Sequence, residues 1–357
     1  MTAVALSTPM EYGLELSHKS LVVNTMESPD KLQLLAAVII PVKNGGDLLV
    51  KVLSQLLIQN CPWPYEILVI DSGSTDGSQQ KVADLGIRLY EIPAAEFGHG
   101  RTRNLGMQLT SADYVCFLTQ DALPADDTWL VNMVAVLSSR SDIAGCFGPH
   151  RPYPECHPIV AKELQLHFAG FAAQDKIVRL DDPQRYAADA GYRQQLHYFS
   201  NNNSAIRRSV WQKIPFPDVD FAEDQIWAKH IIEAGYAKAY APDAPVYHSH
   251  SFGVLETCQR AFDESSALHR IFGYVLTPNL LHLTLNLMRF IHRDWFWLIK
   301  DKNLKLKQKI LLCLTAPPRN FARLLGYYLG GKTHRLSPRL VGFISRDKTL
   351  QRTASSS

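Results

Sequence analysis

The chain has 357 residues, 46% of them apolar and 20% charged, with a net charge of +3 at pH 7. This is the composition of a globular protein with a sizeable core in one large domain or two smaller ones, and it excludes disorder and fibre. The charge is uneven: 14 Lys or Arg stand against three Asp between Arg289 and Lys348, so the remainder is acidic.

Residues 1–33 lack a clear period and read as an N-terminal extension, with Glu11, Glu15 and His18 but no apolar signal-peptide core. "LLAAVIIPVKN" is a near-continuous apolar run, as expected of a parallel strand buried on both faces. "GDLLVKVLSQLLIQN" repeats apolar residues at helical spacing. "YEILVIDSGSTDG" is a second strand ending in a polar turn. A helix ("SQQKVADLG"), a third strand ("IRLYEIP"), a helix ("GRTRNLGMQLTS"), a fourth strand ("DYVCFLTQDA"), a helix ("DDTWLVNMVAVLSS") and a strand ("DIAGCFGP") follow. This alternation predicts an α/β fold, a parallel sheet with helices on both faces, and a ligand crevice at the C-terminal strand ends. "PVKN", "DSGSTDG" and "TQDA" should gather on that rim.

Beyond Arg151 the pattern changes. "NNNSAIRR" reads as strand or turn, "AEDQIWAKHIIEAGY" as a helix closed by Gly235, and "AKAYAPDAPVYHSH" as a strand ending in two histidines. Residues 254–348 are mostly helical, amphipathic and basic. The six cysteines show no CxxC or zinc-ligand spacing, which suggests reduced thiols and a cytosolic compartment. The best apolar stretch, "NLLHLTLNLM", is short and broken by polar groups, so no spanning helix is expected.

A carboxylate is costly to bury unpaired. Asp121, just past a buried strand, therefore needs a partner. A divalent cation bridging a diphosphate would supply one; capping its own turn or the next helix is the alternative. Asp71, directly at a strand end, offers hydrogen bonds to a nucleobase or ribose. Neither GxGxxG nor GxxxxGK[ST] occurs. "GHGRTRNLG" supplies His99 and two cations, Arg101 and Arg103, which suit a diphosphate; surface solvation is the competing reading. His248 and His250 lie two apart and would share a face of a strand. Trp227, one helical turn after Asp224, is either a floor for a sugar or an interior tryptophan.

Together, "VIIPVKNGGDLLVKVLSQLLIQ", "EILVIDSGSTDGS", "FGHGRTRNLGMQLTSADYVCFLTQDALPADDTWL" and "FSNNNSAIRRSVWQKIPFPDVDFAEDQIWAKHIIEAGY" resemble an inverting glycosyltransferase of family two, with the GT-A fold. The resemblance covers roughly residues 36 to 255. It is nearest to rhamnosyltransferases of bacterial O-antigen and surface polysaccharide, which implies dTDP-L-rhamnose as donor. It also implies a GT-A catalytic domain over 34–255, with a nucleotide-sugar half (34–150) and an acceptor half (151–255), followed by a basic helical region over 256–357.

Residue roles follow from the same resemblance. Asp224 is the catalytic base and Glu223 an orienting or acceptor-contacting residue beside it. Pro41, Asp71, Gly73, Arg101, Gln120 and Asp121 hold the nucleotide sugar, and Asn202, Asn203 and Trp227 the acceptor. Asp121 with His248 or His250 binds Mg²⁺ or Mn²⁺. Gln120 departs from the family's Asp-any-Asp metal motif, leaving one carboxylate fewer.

The basic tail combines Trp295, Phe296 and Trp297 with Lys300, Lys302, Lys305, Lys307 and Lys309. Such helices fit an anionic membrane surface. A polyprenyl-diphosphate-linked saccharide acceptor, handled on the inner face of the bacterial plasma membrane, agrees with that. Packing on the catalytic domain or an oligomer interface are the competing uses. Nucleic acid is not expected, since no recognition motif accompanies the charge. The other functional readings are a UDP-hexose transferase of the same family and a non-catalytic nucleotide- or glycan-binding scaffold.

Overall fold

The computed structural model describes residues 34–349 apart from 220 and 347, so the N-terminal extension over 1–33 lies outside the described residues. Its strands are β1 (Ala36–Val42), β2 (Tyr65–Asp71), β3 (Arg88–Glu91), β4 (Tyr114–Leu118), β5 (Leu123–Pro124), β6 (Ile143–Phe147), β7 (His150–Arg151), β8 (Ile177–Val178), β9 (Asn203–Arg207), β10 (Ala237–Tyr240) and β11 (Val246–Tyr247). Eight of them form one sheet in the order β3-β2-β1-β4-β9-β6-β10-β8. β3, β2, β1 and β4 are parallel, as are β6 and β10; β9 runs antiparallel to both its neighbours, and β8 antiparallel to β10.

The apolar runs of β1 and β2 are continuous because both sheet faces are covered. Ala36, Val38, Ile40 and Val42 enter one core while Ala37 and Ile39 enter the other. The helix Gly46–Leu57 covers the first face with Leu49, Val52, Leu53 and Leu56, the i, i+3, i+4, i+7 stripe its sequence predicts. Each such fully buried side chain contributes about 1.5–3 kcal/mol.

Two expectations change. The strand proposed through "AKAYAPDAPVYHSH" is two strands. β10 stays in the main sheet, and a turn through Asp243 carries the chain to β11, which joins a separate sheet in the order β5-β11-β7. His248 and His250 therefore follow a strand instead of lying on one. The last boundary also shifts, because a helix runs unbroken over Val254–Phe272 across position 255. The helices Leu280–Lys300, Leu306–Gly330 and Pro338–Ile344 follow it. No described helix is long and apolar enough to cross a membrane.

Basic residues divide in this region. Arg293 and Arg323 both reach Glu163 on the helix Pro158–Ala172, and Arg319 donates to the Phe252 carbonyl. Lys302, Lys305 and Lys307 stay exposed. Arginines thus pin the C-terminal helices to the α/β body, and lysines face outward.

Candidate active site

The sheet order reverses direction beside β1, with β2 on one side and β4 on the other, and the strand ends there form the expected crevice. Three turns line it, stitched by side chains. Gln120 accepts from the Lys43 N–H at 2.8 Å and donates to the Lys43 carbonyl at 3.1 Å. Asn44 Oδ1 accepts from the Thr75 N–H, and the Asn44 N–H donates to Ser74 Oγ. Asp76 accepts from the N–H groups of Gly46 and Ser78. Asp71 is buried at the end of β2 and accepts from the N–H groups of Gly73 and Ser74, the Ser74 hydroxyl and the Gln79 amide. Gly73 sits at φ +84°, which a side chain would strain. Asp71 thus shapes the turn and offers the cleft that turn's backbone. Pro41 is an interior residue of β1, opposite Ile70.

Asp121 follows β4 and precedes β5. Antiparallel pairing of β5 with β11 sets Tyr247 against Leu123, which brings the residues after β11 back beside Asp121. His250 Nε2 lies 3.3 Å from one Asp121 oxygen and His248 Nε2 lies 3.6 Å from the other. All three ligand atoms fall within 4.8 Å of one another. These separations exceed a charge-assisted hydrogen bond of about 2.7–2.9 Å and resemble those of co-ligands around one ion. Burial, against the pull of Asp121, holds the His248 imidazole well below its usual range, so it is neutral as a ligand must be. Asp121 and His250 remain partly exposed, leaving an open side. One carboxylate and two imidazoles suit Mn²⁺ better than Mg²⁺. Sequence reasoning missed His150 on β7, which is buried with its ring 5.0 Å from that of His248 and its Nε2 without a hydrogen bond.

The acidic pair opens the helix Glu223–Glu233. Ala222 before it sits at φ +58°, a left-handed conformation costing a non-glycine residue roughly 1 kcal/mol. Glu223 is buried against Arg103 at 3.0 Å, with side-chain exposures of 7% and 4%, and also accepts from the Asn201 amide. Asp224 accepts from the Asn201 N–H at 3.1 Å and the Gln225 N–H at 2.8 Å. Burial and the charge of Glu223 outweigh those donors and Arg103, and push the Asp224 carboxyl up to about 7. The helix dipole does not win. A carboxylate poised near neutrality suits a general base.

"GHGRTRN" holds this pair. Gly100 packs so close to the Pro217 carbonyl that a Cβ would lie 2.0 Å from it. Arg103 clamps Glu223, and Asn104 exchanges hydrogen bonds with Phe216 and accepts one from Trp211. Arg101, expected at the diphosphate, is instead engaged bidentately with Asp218 at the surface. Arg103, which the sequence offered beside Arg101 as a cation for a diphosphate, instead faces inward with Gly100 and Met107 to Glu223.

Two acceptor expectations are corrected. Trp227 is 0% exposed, packs on Phe199 and Phe216 and donates to the Ile214 carbonyl, so it has no face for a sugar. Asn203 is likewise fully buried, donating to the Ala244 carbonyl and accepting from Trp129 Nε1. Asn202 is partly exposed at the start of β9. The antiparallel course of β9 carries Asn201 and Asn202 to the same rim as Asp121.

A crevice at the strand ends, an Asp-His-His cluster beside it and a helix-head carboxylate pushed toward neutrality are features that a sugar-nucleotide transferase of GT-A architecture requires. Residues 37–214 match glycosyl transferase family 2. The chain is 31% identical over 302 residues to O-antigen chain rhamnosyltransferase RfbN of Salmonella typhimurium, covering 82% of this chain and 88% of that one. Its identity to O-antigen chain rhamnosyltransferase WbaN of Salmonella anatum is 27%, over 75% and 80% of the two chains. Among solved structures, the mannosyltransferase PcManGT from Pyrobaculum calidifontis, in complex with GDP-Man and Mn²⁺, aligns with a TM-score of 0.53 at 17% identity, covering 85% of this chain and 87% of that one. The chain belongs to glycosyltransferase family 2 and is an enzyme of that family with a GT-A-like fold.

Proposed function

We propose that the protein transfers L-rhamnose from dTDP-L-rhamnose, with inversion, to a saccharide carried on a polyprenyl diphosphate, in surface polysaccharide synthesis. Kinship to two O-antigen rhamnosyltransferases supports the sugar. The observation that carries direct displacement is Asp224, a carboxylate pushed up to about 7 at the head of a helix. One Asp224 oxygen takes the proton of the acceptor hydroxyl as the hydroxyl oxygen attacks the anomeric carbon from the opposite face, and the bond from that carbon to the nucleotide diphosphate breaks. Glu223, ion-paired with Arg103, fixes the orientation of the pair. The turns after β1 and β2 enclose the nucleotide, Asp71 by shaping the second. Asp121, His248 and His250 would hold Mn²⁺, or Mg²⁺, which when bound supplies charge stabilisation to the leaving diphosphate.

The membrane reading is supported by the helices Leu280–Lys300 and Leu306–Gly330. Leu281, Leu285, Met288, Ile310, Leu311 and Leu314 are exposed, with exposed lysines between the two groups. Apolar side chains flanked by cations fit the inner face of an anionic bilayer.

Purified protein with Mn²⁺ is to be incubated with dTDP-L-rhamnose, UDP-glucose or UDP-galactose and a lipid-linked saccharide extract. Transfer from dTDP-L-rhamnose with inverted anomeric configuration supports the reading. Transfer only from a UDP-hexose sinks the rhamnose assignment. Nucleotide binding without transfer from any donor favours a scaffold.

A further inference from the structure

With Asn203 and Trp227 in the core, the acceptor needs another site. A cavity of about 670 Å³ lies between the helix Ala190–His197 and the C-terminal helices. That is within the usual range of small-molecule sites, about 300–1,000 Å³. Leu268, Phe272 and Leu324 give it an apolar lining, and the rings of Phe272 and Tyr274 stack 5.4 Å apart. Its polar side combines the Arg193 guanidinium, which donates to the Tyr186 and Ala187 carbonyls, with several oxygens. Gln194 Oε1 and Thr277 Oγ1 are buried there with no hydrogen-bond partner. The Glu264 carboxylate also lines it, touched by the Tyr327 hydroxyl at 3.4 Å, and so does Asn286. Buried polar atoms rarely go unpaired, so two unpaired oxygens in one cavity call for a ligand with hydroxyl donors.

Hydrogen bonds lead from the cavity lining to the neighbour of the base. Gln194 Nε2 donates to Gln225 Oε1 at 3.2 Å, and the Gln225 N–H donates to Asp224. Tyr198, just after the cavity helix, has its phenol pushed upward first by burial and then by Asp224, Tyr240 and Glu264.

We infer that this cavity binds the acceptor saccharide as a neutral polyhydroxylated ring, with Gln194, Thr277, Glu264 and Asn286 on its hydroxyls and the Phe272–Tyr274 pair on its apolar face. The inference rests on Asp224 acting as base in glycosyl transfer. A diphosphate is disfavoured here because it would meet the Glu264 carboxylate with like charge, while the Arg193 guanidinium is already held by the Tyr186 and Ala187 carbonyls. The C-terminal helices thereby become half of the acceptor site.

The test uses the full chain with dTDP and Mn²⁺, titrated calorimetrically with methyl glycosides of galactose, mannose, glucose and rhamnose. Asn286→Trp fills the cavity and Glu264→Gln weakens an acceptor. Unchanged melting temperature and retained stabilisation by dTDP show that each variant is folded. At least one glycoside should bind the wild type, with affinity falling about tenfold or more in Asn286→Trp and severalfold in Glu264→Gln. Binding unchanged in Asn286→Trp overturns the inference, as does no binding of any glycoside at millimolar concentration. The two readings separate cleanly. Glycoside binding lost in Asn286→Trp without rhamnosyl transfer by the wild type keeps the cavity and sinks the donor assignment. Transfer whose acceptor KM ignores Asn286→Trp does the reverse.

Discussion

Gln120, next to Asp121, both accepts from and donates to the Lys43 backbone. A carboxylate accepts but cannot donate to the Lys43 carbonyl, so Gln120→Glu should lose one bond and cost about 1 kcal/mol in urea unfolding. Asp121 has the opposite character. Its side chain reaches toward two histidines and has no strong donor of its own. Asp121→Ala should leave the fold intact and abolish the Mn²⁺-dependent part of dTDP stabilisation, which at saturating ligand amounts to about 2–3 kcal/mol. Persistence of the Mn²⁺ effect in that variant, read as a thermal shift, would remove Asp121 from the metal site. Residue identity alone was least informative for Asn203 and Trp227. An amide run or a helical tryptophan suits a sugar and a core equally, and only the position of β9 and the packing of Phe199 and Phe216 decide for the core. Arg101 and Arg103 differ by two positions in sequence, yet the helix turns one to Asp218 and the other to Glu223.

At the scale of elements, local sequence carried the first half of the fold well. The strands β1, β2 and β4 announce themselves as apolar runs ending in polar turns, because burial on both faces leaves no room for alternation. The antiparallel β9 and the split of β10 from β11 were not legible, since both depend on pairing with strands distant in sequence. The split matters, because it lets the short β5-β11-β7 sheet swing His248 and His250 to Asp121. Element contacts also yield a stability prediction. Glu163 on the helix Pro158–Ala172 joins Arg293 and Arg323 from two later helices, all three largely buried. Glu163→Ala leaves Arg323 without this anion and Arg293 with Asp294 alone, and should cost about 2–4 kcal/mol by denaturant unfolding. A change below about 0.5 kcal/mol would class the cluster with surface ion pairs.

For the whole molecule, the basic charge visible in the sequence proves to have two uses. Arginines such as Arg293, Arg319 and Arg323 turn inward to bind the helices to the α/β body, while Lys302, Lys305 and Lys307 stay in solvent beside exposed leucines. Sequence composition could not divide them, because the division depends on which carboxylates the fold brings near. The protein should sediment with vesicles rich in anionic lipid at low salt and be released as salt rises, since such contacts are screened within about 10 Å at 0.1 M. Replacing the three lysines by glutamate should abolish sedimentation while leaving dTDP stabilisation unchanged. Sedimentation that survives this triple replacement would assign membrane contact to another surface.

The most direct test of the account is the pH dependence of single-turnover transfer by wild-type protein and Asp224→Asn. A base must be ionised to act, and the Asp224 carboxyl lies near 7, so the wild-type rate should fall about tenfold per pH unit below that value and level off above it. Asp224→Asn should be slower by about 10²–10⁴ and lack the limb. A variant that keeps both the wild-type rate and the acid limb would contradict the account, and the base would have to be sought elsewhere in the cleft.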